Sequence, residues 1–266
     1  MAIVIPQSGD FDAWKRSHDA AVAVDWDGTC KDTMGVKWKQ GFNLALPRVW
    51  PALVPRQREI DEVCYRENLA PGAVSAQRFL MLRKMMGMWK QLGLPVPDLS
   101  AFFRAVEEVE GSGLSHGVAT YRRLQGRFGY DDSPMRWSDL SDELIAAASR
   151  AAPIFPNCRE VLAGLTGRAD FLVVCAAKSR GVHQDLINDG MEGLFRALLA
   201  QDFLPKKQCL AGLAKKYDRV IFVADGKGDM DAAAAAGVPS FEIRIGDEAA
   251  SWLDAKDVLA RFVQGD

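Results

Sequence analysis

The chain has 266 residues, 48% of them hydrophobic, and 33 Lys and Arg against 35 Asp and Glu leave a formal net charge of -2. That length can bury one large core or two modest ones, and so small a net charge argues against a dedicated nucleic-acid or membrane-surface binder. Small-molecule chemistry is the expected role. The cysteines Cys30, Cys64, Cys158, Cys175 and Cys209 are odd in number, widely spaced and free of any CxxC pair, so neither a disulfide framework nor a zinc site is expected, and reduced thiols fit a cytoplasmic protein. The opening apolar run is too short for a signal segment, and no stretch approaches the roughly 18 apolar residues a membrane span needs.

The first predicted element is a strand in "AAVAVDWDG", residues 20–28. From residue 33 to 152 the pattern becomes helical, with amphipathic stretches at 37–50, 73–93, 99–110, 117–129 and 140–151 separated by Pro and Gly. A Met and Trp stripe in "MLRKMMGMW" reads as helix core. Hinges are expected near Asp32 to Met34 and near Ala152 to Pro156. Beyond them the rhythm alternates: a helix in 158–168, a strand in "DFLVVCAAKS" (170–179), a helix in 181–195, a helix in 206–217, a strand in "RVIFVADGKGD" (219–229) and a helix in 230–237. The alanine run 232–236 suggests a close helix-to-sheet contact. Short runs rich in Val, Ile and Phe alternating with helices predict a doubly wound parallel α/β sheet, Rossmann-like, whose ligands bind beyond the carboxyl ends of the strands. Residues 1–32 and 153–266 would form this core domain, with 33–152 as an all-helical insert.

Those carboxyl ends carry the unusual residues. Asp25 and Asp27 stand where the first strand runs out and the chain turns, which lets both carboxylates reach one crevice, with Gly28 supplying the turn and Thr29 a hydroxyl. The third strand ends in its own pair, Asp225 and Asp229, one helical turn apart. Calcium-loop spacing fails, because such a loop needs glycine where Cys30 stands and glutamate at Val36; "DGKGD" with Lys227 lacks the P-loop pattern. His18, His116 and His183 have no ligand spacing, Cys30 reads as a packed thiol, and the basic residues Arg78, Arg83, Lys84, Arg122 and Arg123 of the insert read mainly as solvated helix faces.

"DWDGT" resembles the DxDG[T/V] first motif of the haloacid dehalogenase-like superfamily. The strand "FLVVCAAKS", a lysine in "LPKKQCL" and "VADGKGDMDAA" follow in the family's order, with the helical insert where that family carries its type 1 cap. The resemblance implies Asp25 as nucleophile forming an aspartyl phosphate, and Asp27 as general acid and then base. It implies Mg²⁺ held by Asp25, the Asp27 main-chain carbonyl, Asp225 and Asp229. The third-motif lysine is Lys206 or Lys207, and the spacing to Leu210 favours Lys206. Gly28, Thr29, Ala176, Ala177 and Lys207 would meet the phosphate. One position departs from the family: Ala176 stands where a Ser or Thr hydroxyl is usual, and Cys175, one strand position away, is a poor substitute. Main-chain N–H groups around Ala177, with Lys178 or Arg180, could still hold phosphate.

The second acid of the first motif accompanies phosphoryl transfer in this family, while its dehalogenases lack it. The expected activity is therefore Mg²⁺-dependent hydrolysis of a small phosphorylated metabolite. A phosphomutase of the same family would retain both acids, and Ala176 also admits a non-catalytic phospho-ligand binding protein. Substrate and oligomeric state are not legible in the sequence.

Overall fold

The computed structural model describes residues 3–70, 73, 77–112, 114, 116–148 and 151–265. In chain order these form β1 (Ala20–Val24), α1 (Thr33–Val36), α2 (Asn43–Val49), α3 (Gln57–Asn68), α4 (Arg78–Gln91), α5 (Ser100–Ser112), α6 (Val118–Phe128), α7 (Ser133–Ala148) and α8 (Cys158–Gly164). There follow β2 (Asp170–Val174), α9 (Ser179–Asn188), β3 (Ala197–Leu199), α10 (Lys206–Lys216), β4 (Arg219–Ala224), α11 (Lys227–Ala235), β5 (Ser240–Glu242) and α12 (Glu248–Gln264). The chain divides into two compact units, one of residues 1–33 and 152–266, the other of residues 34–151.

The first unit is built on a five-stranded, all-parallel sheet in the order β3-β2-β1-β4-β5. Every residue of β1 is buried, as a central strand covered on both faces requires. Alternation sorts its side chains: Val22 and Val24 enter one core cluster with Phe171, Val173, Val223 and Trp252, while Ala21 and Ala23 enter the other with Leu172, Phe222 and Leu210. Val24 pairs with Val173 on one side and Val223 on the other, which brings the carboxyl ends of β2, β1 and β4 side by side. The chain runs outward from β1 through β2 to β3 and then crosses back to β4 on the other side of β1, so the strand order reverses at β1 and the crevice lies at a topological switch point.

The second unit is helical. Trp38, Phe42, Leu46, Phe79, Trp89, Phe102, Tyr121 and Trp137 form its core, joined by Met81, Leu82, Met85 and Met86 of the methionine stripe. A single π-helical turn, Lys37–Phe42, separates α1 from α2, and the Trp137 indole N–H donates to the Phe42 carbonyl at 3.1 Å. A side chain at Gly41 would strike Ile145 of α7, so this glycine permits the close packing of that turn on α7.

Two helix predictions need correction, and some elements went unassigned. The strands β3 and β5 and the helices α3 and α12 carry no assignment in the sequence reading. The helix predicted over 181–195 starts at Ser179 and ends at Asn188, where Gly190 at φ 63° and a 3₁₀ turn, Glu192–Leu194, interrupt it. The predicted 140–151 helix begins earlier, at Ser133, while Ser149 and Arg150, like residues 74–76 of the 73–93 prediction, lie outside the described residues. Of the alanine run Ala233 is buried and Ala236 is half-buried against the same core cluster as Ala21, Ala23 and Phe222, while Ala234 and Ala235 are exposed, so one face of the run makes the helix-to-sheet contact. Among the described residues no helix is long and apolar enough to cross a membrane.

Candidate active site

Asp25 is the first residue beyond β1, and its N–H still donates to the Val223 carbonyl at 2.9 Å, so the ladder with β4 fixes its backbone. Trp26 keeps the parity of Val22 and Val24, is fully buried, and meets Phe195 edge-on. Its carbonyl accepts from the N–H groups of Cys30 (3.0 Å) and Lys31 (3.2 Å), closing a tight turn. Gly28 sits in that turn at φ +82°, a left-handed conformation that a Cβ disfavours, and its N–H donates to the Lys31 carbonyl at 2.9 Å. The Trp252 indole of α12 donates to the Thr29 carbonyl at 2.9 Å and pins the turn from outside.

Carboxylate oxygens of Asp25, Asp225 and Asp229 lie within 4.8 Å of one another. The Lys206 ammonium stands 2.9 Å from Asp25 Oδ1 and 2.7 Å from Asp229 Oδ1. Lys207, one position on, is exposed. The Thr29 hydroxyl donates to Asp225 Oδ1 at 2.6 Å, so it engages an acid of the cluster. Asp27 is half-buried, and its Oδ1 accepts from the Thr33 hydroxyl at 2.7 Å. Ala176 is exposed just past β2 and offers no hydroxyl; Ala177 is half-buried, with its carbonyl accepting from Gln201 N–H at 2.9 Å. Cys175 is buried, and its thiol turns to the Ala177 carbonyl at 3.9 Å. Ser179 is engaged with Asp202 through its hydroxyl.

The remaining candidates have other partners. His18 meets Asp170, His183 meets Glu192, and His116 meets the Tyr121 hydroxyl. The Cys30 thiol is fully buried and donates to the Asp25 carbonyl at 3.3 Å, and burial pushes its pKa up, away from the reactive thiolate. Of the basic residues of the insert, Arg83, Lys84 and Arg122 pair with acids, and Arg78 bonds the Ser138 hydroxyl and Asp142. Sequence reasoning missed Thr33, whose signal is a hydroxyl six residues after Asp27, and Lys31, an ionisable residue two positions after the first motif.

Burial pushes the Asp25 carboxyl up to about 8, with the Asp229 and Asp225 charges adding to it and Lys206 opposing. Asp225 rises to about 6, again through burial first and Asp229 after it, while the Thr29 hydrogen bond works the other way. Burial alone would lower the Lys206 ammonium, but the Asp25 and Asp229 carboxylates outweigh it and push its pKa up. One ammonium among three carboxylates therefore leaves excess negative charge. Hard carboxylate oxygens under like-charge stress suit a small divalent cation, and Asp229 in the first turn of α11 adds a site already favourable to charge.

A thermal melt tests the fit. Saturating Mg²⁺, at about 100 times its Kd, should raise the melting temperature of metal-free protein by about 5–10 °C, from roughly 2.7 kcal/mol of linkage at about 2–4 °C per kcal/mol. Asp225→Asn should lose most of that shift, and an equal shift in the variant would remove Asp225 from the site.

No family model and no curated protein matches the chain. Solved structures align with much of the chain. A haloacid dehalogenase-like hydrolase from Streptococcus pneumoniae aligns over 91% of this chain and 97% of its own, at 15% identity and a TM-score of 0.48. A haloacid dehalogenase-like hydrolase from Xanthomonas campestris covers 100% of both chains at 12% identity and a TM-score of 0.47. An L-2-haloacid dehalogenase from Xanthobacter autotrophicus covers 84% of this chain and 76% of its own, at 18% identity and a TM-score of 0.43. Likeness at these identities concerns the fold, and the chemistry has to be argued from the residues.

Proposed function

We propose that the chain is a Mg²⁺-dependent phosphomonoester hydrolase acting on a small phosphorylated metabolite, with residues 1–32 and 153–266 as its catalytic core domain and 33–152 as a helical cap. The observation that carries this reading is the convergence of Lys206, Asp225 and Asp229 on the buried Asp25, with Asp27 two residues away and held by Thr33.

An Asp25 carboxylate oxygen attacks phosphorus, the bond from phosphorus to the ester oxygen breaks, and Asp27 gives its proton to the departing alkoxide. Asp27, now ionised, takes a proton from the water that attacks the aspartyl phosphate, which returns the Asp25 carboxylate and releases inorganic phosphate. Lys206 holds the Asp25 carboxylate in place and offsets its charge, so less repulsion meets an incoming phosphate. Asp25, Asp225, Asp229 and the Asp27 main-chain carbonyl would hold Mg²⁺, which when bound neutralises charge on the phosphoryl oxygens. Asp27 favours phosphoryl transfer over dehalogenation, since carbon–halogen cleavage releases a halide that needs no proton.

The test is phosphate release from an aryl phosphate and a panel of phosphorylated metabolites, with Mg²⁺ and with chelator. Release that stops on chelation supports the reading. Ala176 favours a second one, a phospho-ligand binding protein, which predicts measurable binding of phosphorylated ligands and no turnover of any of them. Conversion of one sugar phosphate into another without free phosphate would instead mark a mutase.

Ala176 also yields a gain-of-function expectation. A hydrogen bond to a charged group contributes about 1.5–3 kcal/mol, or roughly 10 to 150-fold. Ala176→Ser should therefore raise kcat/KM by about 10-fold or more, and an unchanged value would mean that main-chain N–H groups already satisfy the phosphate.

A further inference from the structure

Lys31 has no exposed side-chain surface, although it lies in the polar turn after Asp25. Its ammonium stands 3.2 Å from Asp185 Oδ1 and 2.7 Å from Asp189 Oδ2. These acids are four residues apart, so α9 and its C-cap present both on one side. The main chain of Lys31 is equally committed: its N–H donates to Trp26, and its carbonyl accepts from Gly28 and from Thr33 at 2.7 Å. It also bridges Ile154 where the chain returns to the sheet. Two carboxylates on one ammonium leave a net negative cluster, and burial raises Asp185 despite Lys31, with Asp189 and then Asp27 adding their charge. The cluster therefore lies within electrostatic reach of Asp27.

Buried lysines are rare, and a buried ion cluster can usually be replaced by uncharged residues of similar volume with little loss of stability. Stability alone gives no reason for a cation here. Geometry does: α9 begins directly after Ala176 and Ala177 at the end of β2, while Lys31 closes the turn that carries Asp27. We propose that Lys31 is a positioning residue, clamped by Asp185 and Asp189, that fastens the Asp25 to Thr33 turn to α9 and so fixes where the Asp27 carboxylate and main-chain carbonyl stand. Its catalytic consequence rests on the hydrolase reading above.

The test compares wild type with Lys31→Met/Asp185→Asn/Asp189→Asn, a triple variant that removes all three charges at nearly constant volume, so no acid is left unpaired. Melting temperature, aryl phosphate kinetics and amide hydrogen exchange by mass spectrometry are read together. The expected result is a melting temperature within about 5 °C of wild type, exchange at least about 10-fold faster in 26–33 but unchanged in β1, β2 and β4, and kcat lowered about 10 to 100-fold with KM within about 3-fold. Wild-type exchange and kcat would overturn the proposal. So would loss of protection throughout the sheet, which would make the cluster a stabilising element. If wild-type protein releases no phosphate, the hydrolase reading fails by itself, and exchange in 26–33 alone decides whether Lys31 positions the turn.

Discussion

Asp25→Asn should lower phosphate release by at least about 10⁴-fold, because the amide that replaces the carboxylate has no oxygen able to form the aspartyl phosphate. The variant should remain folded: Asn is nearly isosteric, and Lys206 keeps its partner Asp229 at 2.7 Å. Asp27→Asn removes proton transfer and leaves the nucleophile, so its loss should be smaller, about 10² to 10⁴-fold. Equal residual rates in wild type and Asp25→Asn would sink the covalent mechanism. The same substitution tests the charge state of the site. A carboxyl whose folded-state pKa is raised to about 8 binds its proton more tightly when folded, so metal-free stability falls as pH rises from about 4 toward 8. Asp25→Asn should flatten that slope in a series of thermal melts, and an unaltered slope would assign it to other groups.

Lys206→Met should affect both activity and stability. Its ammonium is the cation in contact with Asp25, and removing one member of a buried ion pair costs about 3–5 kcal/mol, or about 6–20 °C at about 2–4 °C per kcal/mol. The lysine's raised pKa gives stability that is fully present below its unfolded value of about 10.5, so the loss appears at neutral pH. Without the ammonium, Asp25 takes up a proton more readily, and acidification from pH 8 to 5 should recover much of the lost melting temperature in metal-free protein. Activity should fall about 10² to 10³-fold, the cost of removing one preorganised charge partner from a site. Lys207→Met is the control, since that side chain is exposed and should change stability by no more than about 0.5 kcal/mol. Equivalent losses in the two variants would show that α10 presents either lysine to the site.

Much of the architecture is legible in local sequence. The Val and Ala run of β1 and the Val, Ile and Phe runs of β2 and β4 are apolar on both faces, so each announces a strand covered on both sides. A register that aligns their carboxyl ends follows from the parallel sheet, and it collects Asp25 and Asp225 without further information. By contrast, β3 and β5 are three residues long, too short to display any period, and exist because neighbouring strands offer them hydrogen-bond partners. Gly28 at φ +82° was legible as a turn, since glycine tolerates the left-handed conformation.

Sequence by itself determined the α/β alternation, the long helical stretch within it, the acids at the strand ends and the missing hydroxyl at Ala176, because each is written in consecutive residues. Tertiary structure decided the rest. Spacing favours Lys206 over Lys207 without excluding the latter; the two differ by about 100° around a helix, and the packing of α10 turns Lys206 toward Asp25 and leaves Lys207 in water. The hydroxyl of Thr29 could face ligand or protein, and the neighbouring strand end supplies Asp225 to receive it. Nothing in the sequence around Lys31 marks it until α9, some 150 residues later in the chain, brings Asp185 and Asp189 against it. Burial and charge pairing depend on segments distant in sequence, and no local pattern encodes which of them will meet.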